Sequence, residues 1–204
     1  MTLFVIWSRK GGPMPKFTDK EREEIQRLLL SEGEKLFSTY GLKKLVVDDI
    51  AEAAKISKGS FYNFYQNKEH LFIVINFMLQ NKMFSEIDKM LQQEKSTPKQ
   101  TAKKAILLLL EKIDLHPMLK NLDINTYTYL RRKLPDNIFD SHALNDEKFF
   151  NSLSKYGITF KKPIGIITKT LQALYGVSRE YLEDDDYKEI VSIMIDGIIE
   201  QVNE

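Results

Sequence analysis

The sequence predicts an all-α protein of eight or nine helices. Apolar residues recur at the spacing of a helix face from Thr18 onward, and capping residues interrupt this pattern at intervals. No convincing run of residues alternates with the period of a strand. The length of 204 residues, with 43% hydrophobic and 29% charged residues, is typical of a folded chain with one large domain or a small domain joined to a larger one.

The first helix is predicted over residues 19–40. Thr18 and Glu21 form a capping box at its start, and Gly41 is a C′ glycine at its end. Gly33 lies on the apolar stripe of this helix, where the missing side chain allows a second helix to cross closely. The other residues of the stripe are Ile25, Leu28, Leu29, Leu36, Phe37 and Tyr40.

Two short helices and a long one follow. The short helices are predicted over 47–54 and 58–64, the second with Ser57 as its N-cap, and the long helix over 68–93, with Asn67 as its N-cap. Prolines, glycines and an acidic run separate five further helical patterns. We expect these helices over residues 97–114, 118–134, 145–156, 162–176 and 185–203.

Composition excludes several classes of protein. The chain has no cysteine, which excludes a disulfide framework, a thiol nucleophile and a thiolate metal site. Thirty basic residues against 29 acidic ones give a net charge of +1, so the overall charge does not indicate a nucleic-acid partner. No segment approaches the roughly 18 consecutive apolar residues of a membrane span. We therefore expect a cytoplasmic protein without a membrane partner.

The first 13 residues are expected to lie outside the folded part of the chain. The apolar run from Leu3 to Trp7 is too short for a signal peptide, which needs roughly 7 to 15 apolar residues. We interpret residues 1–13 as a flexible leader, or as the result of a start site assigned too early, with Met14 as the real initiator.

The sequence gives no sign of catalysis. His70, His116 and His142 lie in no HExxH pattern and have no spaced hydroxyl or carboxylate partner. One alternative is a helical enzyme that holds a metal with the run from Asp184 to Asp186, but three carboxylates at a helix start more simply complement the helix dipole. We therefore predict no enzyme activity, no metal site and no cofactor.

Residues 46–65 have the pattern of a helix-turn-helix. Between residues 53 and 67 the only charged side chains are those of Lys55 and Lys58. Small or apolar residues occupy the positions at which two helices pack at a steep angle, namely Ile50, Ala51, Ala54, Ile56, Phe61 and Phe64. The second helix then presents a polar surface that allows close approach, and its N–H groups can take a phosphate. The residues of this surface are Gly59, Ser60, Tyr62 and Asn63.

This segment resembles a known family. The sequence DDIAEAAKISKGSFYNFYQNKEHLF, from Asp48 to Phe72, follows a helix that ends in LFSTYG and is similar to the N-terminal DNA-binding domain of the TetR family of bacterial transcriptional regulators. The resemblance covers about residues 18–72. It implies that three helices bind DNA, that the third enters the major groove, and that a variable helical C-terminal domain binds a small molecule and forms the dimer.

The resemblance also assigns roles to individual residues. It places one lysine, Lys68, against a phosphate at the start of the fourth helix. The residues that it places on the recognition helix are Lys58, Gly59, Ser60, Tyr62, Asn63 and Tyr65.

Three positions depart from the usual pattern of the family. Val46 stands where a capping threonine is common, and Lys55 replaces the usual turn glycine, which introduces strain if its φ is positive. Phe64 and Tyr65 stand where the family more often has histidine or tyrosine followed by phenylalanine. Tyr65 is therefore the expected inward anchor, and a polar contact from Phe64 is not expected.

Charge is segregated within the segment. The acidic residues crowd into the first helix and the start of the second. The basic residues left for the opposite end are Lys43, Lys44, Lys55, Lys58 and Lys68. We expect this positive face to bind a double-stranded, palindromic operator with an affinity that falls steeply with salt. The alternative is a helical interaction module that uses the same face for a protein partner.

The last predicted helix indicates a dimer. Its apolar arc of roughly 240° exceeds what one packing face needs. We interpret this helix and the helix over 162–176 as half of a four-helix interface across a two-fold axis; burial within one monomer is the alternative. The predicted interface residues are Leu171, Leu174, Tyr175, Met194, Ile195, Ile198 and Ile199.

Aromatic residues are dense between the two ends of the chain. An apolar effector pocket is the functional interpretation, and core packing is the alternative. The predicted pocket residues are Phe77, Phe84, Tyr127, Tyr129, Phe149 and Phe150. We therefore expect a DNA-binding domain over residues 14–70 and an effector-binding and dimerisation domain over 71–204. The whole chain is expected to act as a dimeric repressor released from its operator by a small molecule.

Overall fold

The computed structural model describes residues 17–178 and 186–203. The predicted leader over residues 1–13 lies outside the described residues, as do Asp184 and Asp185 of the acidic run. Within the described ranges the all-α prediction is confirmed, since the one extended pairing there is an isolated bridge between Phe160 and Val202. No helix in this part of the chain is long and apolar enough to cross a membrane.

The described residues form ten α helices and one 3-10 turn. In chain order these are α1 (Asp19–Lys44), α2 (Val47–Ala53), α3 (Lys58–Phe61), α4 (Lys68–Leu91), α5 (Pro98–Leu115), α6 (Pro117–Lys120), α7 (Ile124–Lys133), α8 (Asp136–Ser152), the 3-10 turn Leu153–Tyr156, α9 (Ile164–Ser178) and α10 (Tyr187–Ile199).

Helix α1 begins where the sequence predicts, but Gly41 interrupts the helix instead of ending it. The Glu21 amide donates to Thr18 Oγ1 at 3.3 Å, and the Thr18 amide donates to Glu21 Oε2 at 2.8 Å, which completes the capping box. Gly41 has φ +73° and breaks the helical geometry, and one further turn follows to Lys44. Tyr40, which we placed on the inner stripe, is 55% exposed, because the stripe turns towards solvent just before this bend.

The boundaries of the helices between residues 117 and 152 also differ from the prediction. The helix predicted over 118–134 is split into α6 and α7, because Asp123 caps a new helix by accepting a hydrogen bond from the Thr126 amide at 2.7 Å. Helix α8 begins at Asp136 rather than near residue 145. Its first turns bury Phe139, so tertiary packing extends the helix towards Pro135, where we expected a loop.

Helix α4 is the centre of the packing and contacts α1, α5, α6 and α8. Its crossing with α1 is close at Gly33, where a Cβ atom would lie 2.9 Å from Ile75 Cδ1. The ring of Phe37 packs edge-on against Phe72 in the same layer, with centroids 5.2 Å apart. The predicted close approach at Gly33 is therefore confirmed.

The turn between α2 and α3 stores strain at Lys55. Its φ of +57° is a left-handed conformation that residues with a side chain rarely adopt. The side chain is exposed, so no packing interaction requires a lysine there. The prediction of strain at this position is confirmed.

We predict that Lys55→Gly raises the free energy of unfolding by up to about 1 kcal/mol, because glycine adopts this conformation without steric cost. Urea denaturation measures the change. Lys55→Ala is the matched control, because it removes the same charge and keeps the strain. An equal gain from both substitutions would assign the effect to charge and not to backbone conformation.

Candidate nucleic-acid interface and internal cavity

The helix-turn-helix consists of α2, a turn and α3, which pack through apolar side chains. Ile50, Ala51 and Phe61 are at most 3% exposed. The Ile56 amide donates to the Ala51 carbonyl at 2.9 Å across the turn, and Ser57 caps α3 by accepting from the Ser60 amide at 3.0 Å. Helix α3 itself ends at Phe61, and the chain continues through turns to Phe64 instead of the predicted helix over 58–64.

Most of the predicted DNA-binding residues face solvent. Ser60 and Asn63 are half-buried. The exposed ones are Lys43, Lys44, Lys55, Lys58, Gly59 and Tyr62. Four of these six residues are lysines, and we call all six together the exposed basic set. At Gly59 a Cβ atom would meet only Ser57 Oγ, at 3.7 Å, so the fold of the chain does not require glycine at this position.

Tyr65 is not available to DNA. It is 4% exposed, and its ring centroid lies 5.9 Å from that of Phe61 and 5.5 Å from that of His70. Burial raises the pKa of Tyr65 to about 12 and lowers the pKa of His70. The assignment of Tyr65 as a DNA contact is therefore wrong, whereas its role as the inward anchor is confirmed.

Two lysines already have partners within the chain. The ammonium of Lys68 donates to the carbonyls of Leu42 at 2.9 Å and Leu45 at 2.5 Å, which satisfies the C-terminal end of α1. Lys68 thus has a structural role at this position, and its contact with a phosphate stays a prediction. Lys58 pairs with Asp48 at 2.7 Å, and this contact raises the pKa of Lys58. Both partners are exposed, so the ion pair is weak and a phosphate can replace the carboxylate.

Helix α4 connects this region to the C-terminal helices through a buried carboxylate. Glu69, in the first turn of α4, is 7% exposed and accepts a hydrogen bond from the Tyr129 hydroxyl of α7 at 2.7 Å. This bond raises the pKa of Tyr129 to about 12. Tyr129 therefore contacts α4 in its first turn, next to the helix-turn-helix. It does not line the cavity described next, which corrects its assignment as a pocket residue.

A cavity of about 550 Å³ lies among α4, α5, α7, α8 and α9. Four of the predicted pocket residues line it, namely Phe77, Phe84, Tyr127 and Phe150. Phe149 does not line the cavity and stacks on Phe84 with ring centroids 4.1 Å apart. Leu171 and Tyr175, which we predicted at a dimer interface, belong to the lining because their face of α9 turns inward.

The polar part of the cavity wall was missed by the sequence reasoning. Asp146 is 6% exposed and accepts hydrogen bonds from Gln80 Nε2 at 2.8 Å and Gln172 Nε2 at 3.3 Å. Burial raises the pKa of Asp146 to about 7. The signal available in the sequence is its spacing, because Asp146 precedes Phe149 and Phe150 by three and four residues and so shares their inner face.

The predicted dimer residues are mostly buried within this one chain. Helix α10 packs against both α9 and α5. This second contact covers the wide apolar arc of α10 and buries Leu174, Ile195, Ile198 and Ile199 to 7% exposure or less. The exposed apolar residues of the two helices are instead Ile166 at 53% and Ile193 at 66%. They flank a shallow apolar groove of about 500 Å³ that Met194 also lines.

The fold and the exposed basic set define a helical protein with an N-terminal helix-turn-helix. The family model of the tetR family of bacterial regulatory proteins matches residues 29–75, which are the second half of α1, the helix-turn-helix and the first third of α4. The N-terminal part of the chain is therefore similar to this family.

Two curated relatives are similar to part of the chain. The HTH-type transcriptional regulator YhgD of Bacillus subtilis is 33% identical over 67 residues, which are 33% of this chain and 35% of the relative. The regulator YuxN of the same organism is 30% identical over 94 residues, which are 46% of this chain and 32% of the relative. The matches thus span about a third of the length of each relative.

Solved structures share the fold over most of the chain. RolR in complex with resorcinol superposes with a TM-score of 0.66 at 16% identity and covers 91% of each chain. FadR from Bacillus subtilis in complex with stearoyl-CoA superposes with a TM-score of 0.55 at 14% identity, over 87% of this chain and 100% of FadR. At these identities the likeness extends to the fold alone.

We predict that the contribution of Asp146 to the stability of the protein falls as the pH rises from about 4 to about 7. Asp146 has a pKa of about 7 in the folded state against an ordinary value of 3.8. The folded state therefore binds this proton more tightly than the unfolded state, and its advantage is lost as the pH rises through the folded pKa. Asp146→Asn should flatten this slope in urea denaturation.

The control for this prediction is Asp140→Asn, which removes an exposed carboxylate of α8 outside the cavity lining. This variant should keep the slope. A slope that persists unchanged in Asp146→Asn would contradict the prediction.

Proposed function

We propose that the chain is a sequence-specific DNA-binding transcription regulator whose affinity for its operator is lowered by a small molecule in the cavity. In this proposal it acts as a repressor that its effector releases. The observation that carries the proposal is the position of α4. Its first turn contacts the end of α1 through Lys68, and its middle lines the cavity through Phe77 and Phe84.

The exposed basic set supports DNA as the partner of the N-terminal helices. Lys43, Lys44 and Lys55 offer ammonium groups for phosphates, and Lys58 can exchange its contact with Asp48 for a phosphate oxygen. The chain itself does not need glycine at Gly59, so close approach of a partner is a reason for its presence. Tyr62 and Asn63 then lie at the positions from which base edges are read.

The cavity supports a small-molecule effector. Its volume of about 550 Å³ lies within the range of ligand sites in proteins. Two proteins of the same fold hold small molecules in their solved structures, resorcinol in RolR and stearoyl-CoA in FadR. We propose that α4 turns as a rigid rod when the cavity is filled and moves α3 with it.

A dimer across the exposed groove of α9 and α10 completes the proposal. Ile166, Ile193 and Met194 offer apolar surface there. Pairing two copies about a two-fold axis covers this surface and places two copies of α3 on successive turns of a palindromic operator. The division into a DNA-binding domain over 14–70 and an effector domain over 71–204 remains part of this proposal, with α4 spanning the boundary.

The test is fluorescence anisotropy with labelled DNA from upstream of the protein's own gene, repeated over a range of salt concentrations. We expect tight binding that weakens steeply with salt, because lysine contacts to phosphates release counterions. Absent or salt-insensitive binding would favour a protein partner on the exposed basic set.

Asn63→Ala should cost about 1 to 3 kcal/mol of binding to the operator and leave binding to scrambled DNA nearly unchanged, because a lost bidentate base contact affects only the preferred sequence. Lys43→Ala should instead weaken binding to both DNAs and reduce the salt slope by about 1. Competition titrations with the two DNAs measure both effects. Lys148→Ala, an exposed lysine of α8, is the control and should change neither quantity.

The bond between Tyr129 and Glu69 should matter for DNA binding as well as for stability. Tyr129→Phe leaves a buried carboxylate without this donor and should lower the free energy of unfolding by about 1 to 3 kcal/mol. Because Glu69 lies in the first turn of α4, we also expect a change in operator affinity, measured by the same anisotropy assay.

The matched control is Tyr156→Phe. The Tyr156 hydroxyl donates to Asp88 Oδ1 at 2.9 Å near the other end of α4, so its loss should affect stability without affecting operator affinity. Equal effects of the two substitutions on operator affinity would contradict a specific role for the first turn of α4.

A further inference from the structure

The cavity has an apolar body and a polar wall. Aromatic and aliphatic side chains form most of its surface, among them Phe77, Phe84 and Leu109. The polar wall is formed where α4, α8 and α9 meet, by Asn76, Gln80, Asp146, Thr168 and Gln172. A ligand that fills the cavity therefore has an apolar part and a polar part at defined positions.

Two oxygen atoms of the polar wall are buried without a hydrogen-bond partner, Oδ1 of Asn76 and Oε1 of Gln80. The orientation of each amide is fixed by its nitrogen. Asn76 Nδ2 donates to the Phe72 carbonyl at 2.9 Å, and Gln80 Nε2 donates to Asp146 Oδ1 at 2.8 Å. Since both of these partners are acceptors, flipping either amide would bring two acceptors together. The Asn76 oxygen therefore takes a donor from outside the chain, either water or a ligand, and so does the Gln80 oxygen while Asp146 is ionised.

The charge of the lining residues also favours a ligand that carries hydrogen-bond donors. Two carboxylates, Asp123 and Asp146, line the cavity, and none of the described lining residues is a lysine, an arginine or a histidine. Asn76 is 1% exposed and Asp146 is 6% exposed, so the acceptors lie away from bulk water. In such a site a ligand that carries N–H donors and a positive charge is favoured, and a ligand that carries a carboxylate or a phosphate is repelled.

We infer that the cavity takes an organic cation, an amine with an aromatic or otherwise apolar body, whose N–H groups donate to Asn76 Oδ1, Gln80 Oε1 and the carboxylate of Asp146. This inference rests on the proposed function, because it names the chemical class of the effector. The aromatic lining adds to the preference, since ring faces attract cations. Asp146 sets the preference for charge, and the two amide oxygens set the preference for donors.

The experiment uses three probes with one body and three head groups: 4,4-diphenylbutylamine, 4,4-diphenylbutan-1-ol and 4,4-diphenylbutanoate. Their dissociation constants for the full chain are measured by isothermal titration calorimetry at one salt concentration and about pH 8, because Asp146, whose pKa is raised to about 7, is mostly ionised there. We expect the amine to bind at least about tenfold more tightly than the alcohol, and the carboxylate to bind most weakly. Equal binding of amine and alcohol, tightest binding of the carboxylate, or binding of none of the three would overturn the inference.

Two variants identify the group responsible. Asp146→Asn should reduce the preference for the amine over the alcohol to less than about threefold, because the acceptor oxygen is kept and the charge is removed. Asp140→Asn removes a charge from an exposed position of the same helix, outside the lining, and should keep the full preference. A full preference in Asp146→Asn would also overturn the inference. The comparison of the three probes on the unmodified chain decides the question if Asp146→Asn does not fold.

The anisotropy assay separates this inference from the proposed function. If the amine binds the chain as expected but the chain binds no DNA, the proposed function fails and the ligand class stands. If a compound of another class releases the chain from its operator while the amine does not bind, the ligand class fails and the proposed function stands.

Discussion

The first turn of α4 is the constraint on which the rest of the structure depends. Of three consecutive residues at this point, the first caps α4 itself and the other two hold distant parts of the chain. Asn67 caps the helix by accepting from the His70 amide at 2.8 Å, Lys68 donates to the last carbonyls of α1, and Glu69 accepts from Tyr129 of α7. Since the three side chains leave one short piece of backbone, α4 cannot change direction without disturbing at least one of these contacts.

The remainder of α4 transmits this constraint. An α helix rises about 1.5 Å per residue, so Asn76 and Phe84 lie about 12 and 24 Å along the axis from Lys68. Both residues line the cavity, and the helix between them is buried against α1, α5 and α8. A displacement of α4 at the cavity wall is therefore transmitted along the rigid helix to the end of α1. The exposed loops at the surface of the molecule provide no such rigid connection.

The N-terminal part of the fold could be predicted because its features depend on residues that are close in the sequence. The rest was harder to predict because it depends on packing between distant residues. The capping box at Thr18, the break at Gly41 and the inward position of Tyr65 each follow from neighbours in the sequence. The partners of Lys68 lie 23 and 26 residues away and the partner of Glu69 lies 60 residues away, so no local pattern could reveal them. The wide apolar arc of α10 was correctly noted and wrongly assigned in part, because the sequence does not show that α5 and α9 cover it from two sides.

The polar wall of the cavity allows an effector to contact α4 directly. Asn76 and Gln80, whose oxygens lack a partner, belong to the same helix as Lys68 and Glu69. A ligand shifts a conformational equilibrium only by its difference in affinity for the two states. A donor that satisfies these oxygens binds best to the position of α4 that presents them, so its binding energy acts on the helix that positions α3. In the proposed control of DNA binding, the effector thus acts on α4 through hydrogen bonds to these two oxygens.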